Sequence, residues 1–158
     1  MQVKNMTLVI TDPCYLSGGK SLINESTIYG DWSCMCYKGS KKEAKKKSHN
    51  WDEKYFGFFD KYNSQTSKEG KNKVEQEYQQ LKKKWIENYC YGEFCADSGR
   101  VAVFDYDSLP ENSKQWVKEH PWCACIIPDY TGNIEYVVEE DDSAHIVGDT
   151  FYTTQSGL

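Results

Sequence analysis

Arginine is nearly absent from this 158-residue chain: Arg100 stands alone against eighteen lysines. Lysine is a flexible point charge, whereas arginine offers a rigid planar fork of donors that matches carboxylates and phosphates in pairs. The shortage excludes an interface that reads bases or phosphates through arginine forks. It also singles out Arg100, which directly follows the polar turn Asp97-Ser98-Gly99. Apolar residues make up only 39% of the chain, and nowhere do they form the run of about 18 that a membrane-spanning helix needs. The seven cysteines are an odd number, and the opening segment up to Asp12 has too short an apolar stretch for a signal peptide. A disulfide scaffold is therefore not expected; reduced thiols in a cytoplasmic protein are. Walker loops, Gly-x-Gly-x-x-Gly after a strand, His-Glu-x-x-His and Gly-x-Ser-x-Gly are all missing. The common NTPase, dinucleotide, zinc-protease and serine-hydrolase signatures go with them. No catalytic residue, metal or cofactor is assigned.

Aromatic rings are plentiful, at 15% of residues, with twelve tyrosines and five tryptophans. Each buries a large area, which offsets the scarcity of aliphatics in forming a core. The length suits one domain over residues 1–158. Charge is strongly segregated. Residues 38–84 carry fourteen lysines against seven acids, whereas residues 129–158 carry seven acids and no lysine or arginine. Residues 39–71, lysine-rich and broken by Trp51, Tyr55, Phe56, Phe58 and Phe59, read as an insertion and as the least regular part of the chain. Its aromatics argue against disorder.

Local patterns predict an α+β fold, an antiparallel sheet or partial β-barrel with two helices at about 72–90 and 110–119. Residues 6–11 read as a buried strand stopped by Asp12-Pro13. Residues 28–38 alternate as a second strand. Val74, Tyr78, Leu81, Trp85 and Tyr89 recur at helical spacing. Residues 93–96 and 100–106 flank Asp97-Ser98-Gly99, which makes either a hairpin turn or a bulge in one bent strand. Short strands at 122–127, 133–139, 143–147 and 150–154 follow, with turns at Tyr130-Thr-Gly-Asn, Glu139–Asp142 and Gly148-Asp149 between them.

Asp12, Asp31, Asp97 and Asp149 each punctuate a strand end. Aspartate there commonly bonds its own following backbone; converging carboxylates would instead make an acid–base or cation site. Cys34-Met35-Cys36 and Cys123-Ala124-Cys125 lie on predicted strands. Alternate strand positions lie about 6–7 Å apart, too far for two thiolates on one zinc, so buried thiols are expected. Lys41 to Lys47, followed by aromatics, could contact phosphates and stack bases.

Ile10-Thr-Asp-Pro-Cys-Tyr15, Tyr29-Gly-Asp31, Phe94-Cys-Ala-Asp-Ser-Gly99 and the ending Phe151–Leu158 resemble small uncharacterised proteins of phages and prophages. Those proteins often read Gly-Asp-Gly-x-Tyr where this chain has Gly30-Asp31-Trp32-Ser33-Cys34. The resemblance covers both ends and residues 92–106, and implies a phage or mobile-element origin. Together with the turn residues it marks Asp12, Tyr15, Asp31, Asp97, Ser98 and Arg100 as binding candidates. The function expected is that of a non-enzymatic inhibitor of a host antiviral defence system. It would mask a nucleic-acid-handling defence protein or sequester a nucleotide second messenger, in the host cytoplasm, away from membranes, as a monomer or homo-oligomer. The alternatives are a metal- or carboxylate-dependent hydrolase using Asp12 and Asp97, and a structural or assembly module.

Overall fold

The computed structural model describes residues 2–22, 26–27, 32–138, 144–148 and 151–155, with side chains over 4–22, 33–40 and 42–132. The fold is α+β. Strands β1 (Gln2–Thr11), β2 (Ser26–Thr27), β3 (Trp32–Lys38), β4 (Cys90–Ala96), β5 (Arg100–Asp105), β6 (Ala124–Val138), β7 (Ala144–Gly148) and β8 (Phe151–Gln155) are joined by helices α1 (Lys41–Asn63), α2 (Lys68–Tyr89) and α3 (Glu111–Glu119). All pairings are antiparallel, in the order β2-β5-β1-β6-β7-β8-β3-β4. Residues from both ends of that order share one core. Cys34 and Cys36 of β3 and Phe94 and Ala96 of β4 pack with Leu8 and Ile10 of β1 and Val101 and Val103 of β5. The sheet therefore curls into a partial barrel around them.

Period-two alternation sorts the strands between layers. On β3, Cys34 and Cys36 face the barrel interior, while Met35 and Tyr37 face outward onto the helices. On β1, Leu8 and Ile10 face in and Val9 faces α3, packing with Phe104, Leu109 and Val117. Both faces of these strands are buried, which is why the sequence there is nearly continuously apolar.

The stretch 39–71 is not irregular. Lys41–Asn63 is a helix, capped by the Ser40 hydroxyl accepting from the Glu43 amide at 3.2 Å. It pairs with α2 as a helical hairpin. Ala44, Trp51 and Trp85 anchor the base of the hairpin on Met35, Tyr37 and Cys90 of the sheet. Trp85 Nε1 donates to the Tyr37 hydroxyl at 3.0 Å, and Lys82 meets Glu93 of β4 at 2.8 Å with both side chains largely buried. Val74 and Trp85 are buried and Tyr78, Leu81 and Tyr89 half-buried, in line with the helical spacing read for α2.

Two local expectations are corrected. Residues 90–105 form neither a hairpin nor one bent strand: β4 pairs with β3, and β5 pairs with β1 and β2. The 97–99 turn, with Gly99 at φ 71°, hands the chain across the curled sheet between them. Tyr130-Thr-Gly-Asn is not a turn but lies within β6. Asp129 (φ 53°) and Asn5 (φ 49°) take left-handed conformations where the β1–β6 register shifts, so the strand bends and continues. At α3, Pro110 takes the cap position, and the Ser108 hydroxyl donates to Asp105 O and accepts from Lys20 N.

Candidate functional site

Asp12 ends β1 because Pro13 cannot continue the ladder. Its Oδ1 accepts from the Cys14 amide at 2.9 Å and so caps the short 3₁₀ turn Pro13–Tyr15. From the far side of the molecule's sequence, the turn after β4 delivers Ser98 to the same carboxylate. The Ser98 hydroxyl lies 2.7 Å from both oxygens of Asp12, and its amide donates to Oδ2. Arg100 Nε donates to the Ser98 hydroxyl at 3.2 Å. Tyr15 lies close enough to Asp97 for that carboxylate to act on its hydroxyl, and it stacks on Trp116 of α3, ring centres 5.0 Å apart. Asp12, Tyr15, Asp97, Ser98 and Arg100 thus come together at one end of the barrel. Asp31 and Asp149 lie outside the described residues.

The electrostatics of this cluster are those of a clasp. Asp12 is fully buried. Burial pushes its carboxyl upward, but bonds from the Ser98 hydroxyl and the Cys14 and Ser98 amides outweigh that and hold it below its ordinary value. A carboxylate with both oxygens engaged and its pKa depressed is a poor general base. Burial, then the neighbouring Asp12 carboxylate, pushes the Cys14 thiol up, and burial with the nearby Asp97 carboxylate pushes Tyr15 up. Neither is activated as a nucleophile or acid. Cys34, Cys36 and Cys125 pack inside the barrel as small hydrophobes, and burial raises the Cys34 thiol well above its ordinary value.

A second site lies on the hairpin, at its base. A cleft of about 800 Å³ is lined by Glu43, Lys46, Lys47, Asn50, Glu53 and Lys54 of α1 and Trp85 and Tyr89 of α2. The α1 residues follow the three- and four-residue helical spacing, so one face presents them together. Lys47 Nζ stands 4.8 Å over the Tyr89 ring, and Trp85 and Tyr89 meet edge to face at 4.7 Å. The surrounding charge is positive on balance, the lining setting Lys46, Lys47 and Lys54 against Glu43 and Glu53. Residues 41–51 carry five lysines against Glu43 alone, and 76–89 carry three lysines against Glu77 and Glu87. Lys41 and Lys42 occupy the first turn of α1, where the helix dipole is already positive and lysine is unfavourable.

The sequence reading named the lysine run but not this cleft. Its signal was present: Ser40-Lys-Lys-Glu43 is a capping-box pattern, and Ala44, Trp51, Tyr55, Phe58 and Tyr62 recur at helical spacing. Among the described residues, no helix is long and apolar enough to cross a membrane. No family model, curated protein or solved structure matches the chain.

Proposed function

We propose that this protein is a non-enzymatic binding protein that captures a phosphate-bearing nucleotide in the lysine-lined cleft at the base of its helical hairpin. In the setting implied by the sequence resemblance, a phage or mobile element within a host cell, such capture inhibits an antiviral defence that signals through a nucleotide. The observation that carries this reading is the cleft itself. Lys46, Lys47 and Lys54 offer ammonium groups to phosphates, Asn50 offers an amide, and Tyr89 offers ring surface to a base. Lysines bind phosphate as point charges without needing an arginine fork. Sequestration needs no chemistry, and the engaged, depressed carboxylate of Asp12 favours binding over hydrolysis by Asp12 and Asp97.

Masking of a defence protein is the second reading. It is favoured by Trp122, which is 73% exposed beside Pro121 and the Lys82–Ile86 surface of α2. Exposed tryptophan is a frequent anchor of protein interfaces.

Calorimetric titration with a panel of linear and cyclic oligonucleotides tests the first reading. Lys46 and Lys54 are exposed, so reversing both, Lys46→Glu with Lys54→Glu, should leave stability within about 0.5 kcal/mol. Nucleotide affinity should fall by at least about tenfold and weaken with added salt. Equal affinity of the double variant and the native protein would reject the cleft as the site.

A further inference from the structure

The far half of the hairpin differs in character from its base. Residues 52–75 carry five lysines and five acids, so the positive field of the base is balanced there. Aromatic rings are left in solvent instead: Phe56 is 61% exposed and Phe59 50%. Between α1 and α2 in this half lies a cavity of about 190 Å³, lined by Tyr55, Phe58, Phe59, Tyr62 and Tyr78 together with Val74 and Glu75. The rings are not parallel plates. Tyr78 stands at 65° to Tyr55 and at 66° to Phe58, while Tyr55 and Phe59 lie within 27° of each other. Rings packed at these angles present both edges and faces around one small space.

We propose that this aromatic pocket binds a methylated ammonium group. The negative ring faces attract a cation, and a quaternary head group loses little hydration on leaving water. Glu75 supplies the single full negative charge. The volume is small against the roughly 300–1,000 Å³ of pockets for drug-sized ligands, and suits a head group rather than a whole molecule. The chain already places ammonium groups on rings of this wall. Lys71 Nζ lies 5.4 Å from the Tyr62 centroid and Lys82 Nζ 5.9 Å from that of Tyr78. A phosphate-bearing ligand fits here poorly, because Glu75 would oppose it and the local charge is balanced. The pocket is separate from the cleft at the base, and the inference stands whether or not that cleft holds a nucleotide.

The test compares choline with its neutral isostere 3,3-dimethylbutan-1-ol on the full chain, by NMR titration following the methyl protons. The two differ in charge and hardly in shape. Choline should bind, its methyl resonances shifted upfield by the rings, and bind at least about tenfold more tightly than the isostere. Phe59→Leu keeps apolar volume but removes a π face, and should weaken choline by about fivefold. Glu75→Gln should weaken it by about threefold or more. Both variants are to be checked for native circular dichroism, and Phe59 and Glu75 are exposed enough that folding should survive. Equal binding of choline and its isostere, no binding of either, or undiminished choline affinity in Phe59→Leu would each overturn the proposal.

Discussion

Replacing Asp12 by alanine tests whether the cluster of turn residues is a clasp or a reactive site. The carboxylate accepts from the Cys14 amide, the Ser98 amide and the Ser98 hydroxyl, and so joins the end of β1 to the turn between β4 and β5. A hydrogen bond to a charged group contributes about 1.5–3 kcal/mol. Cys14 and Ser98 are themselves exposed, so water replaces part of what is lost. A total of about 3 kcal/mol follows, with about half of that for Asp12→Asn, which keeps one acceptor oxygen. For a chain of this length the alanine variant should melt about 6–12 °C lower. The acid limb gives a second check. The folded pKa of Asp12 lies below its unfolded value of 3.8, so its contribution is fully present above that value and is lost as pH falls through the folded pKa. The stability gap between the native protein and Asp12→Asn, followed by urea denaturation, should be constant from about pH 8 to 5 and narrow below about pH 4. A melting temperature for Asp12→Ala within about 2 °C of the native value would refute the clasp and restore a chemical role for this carboxylate.

Trp85→Ala should cost about 3–5 kcal/mol, since Trp85 is 9% exposed in the cluster that holds the hairpin on the sheet and bonds the Tyr37 hydroxyl. A chemical-denaturation midpoint close to that of the native protein would show that the hairpin is not docked there. Arg100→Lys loses the bond to the Ser98 hydroxyl and should lower stability by about 1.5–3 kcal/mol, leaving nucleotide affinity unchanged because Arg100 does not line the cleft. Loss of affinity in a stably folded Arg100→Lys protein would make Arg100 a binding residue instead.

Much of the fold is legible in the sequence because the period of the apolar residues is unambiguous in β1, β3 and α2. Cys34 and Cys36 against Met35 and Tyr37 give the two faces of β3 directly. Helix α1 is harder to see. Among the described residues its sheet-facing side chains are Ala44 and Trp51, and lysines fill the intervals, so composition obscures the periodicity. Bends are harder still. The left-handed Asp129 lets β6 run through Tyr130-Thr-Gly-Asn, a segment whose residues are those of a turn. Of the site candidates, proximity was beyond the sequence: Asp12 and Ser98 are 86 positions apart, and only the curl of the sheet brings them together. The cleft requires two helices in register, one of which lies in the stretch whose composition reads as an insertion and the least regular part of the chain.

The most direct measurement of the central claim is mass spectrometry of what the cleft retains. The native protein and the Lys46→Glu, Lys54→Glu variant would each be incubated with an extract of cells whose nucleotide-signalling defence is active, repurified and denatured. The account predicts a nucleotide released from the native protein at near-stoichiometric yield and lost from the variant. No nucleotide from either protein, or the same yield from both, would contradict it.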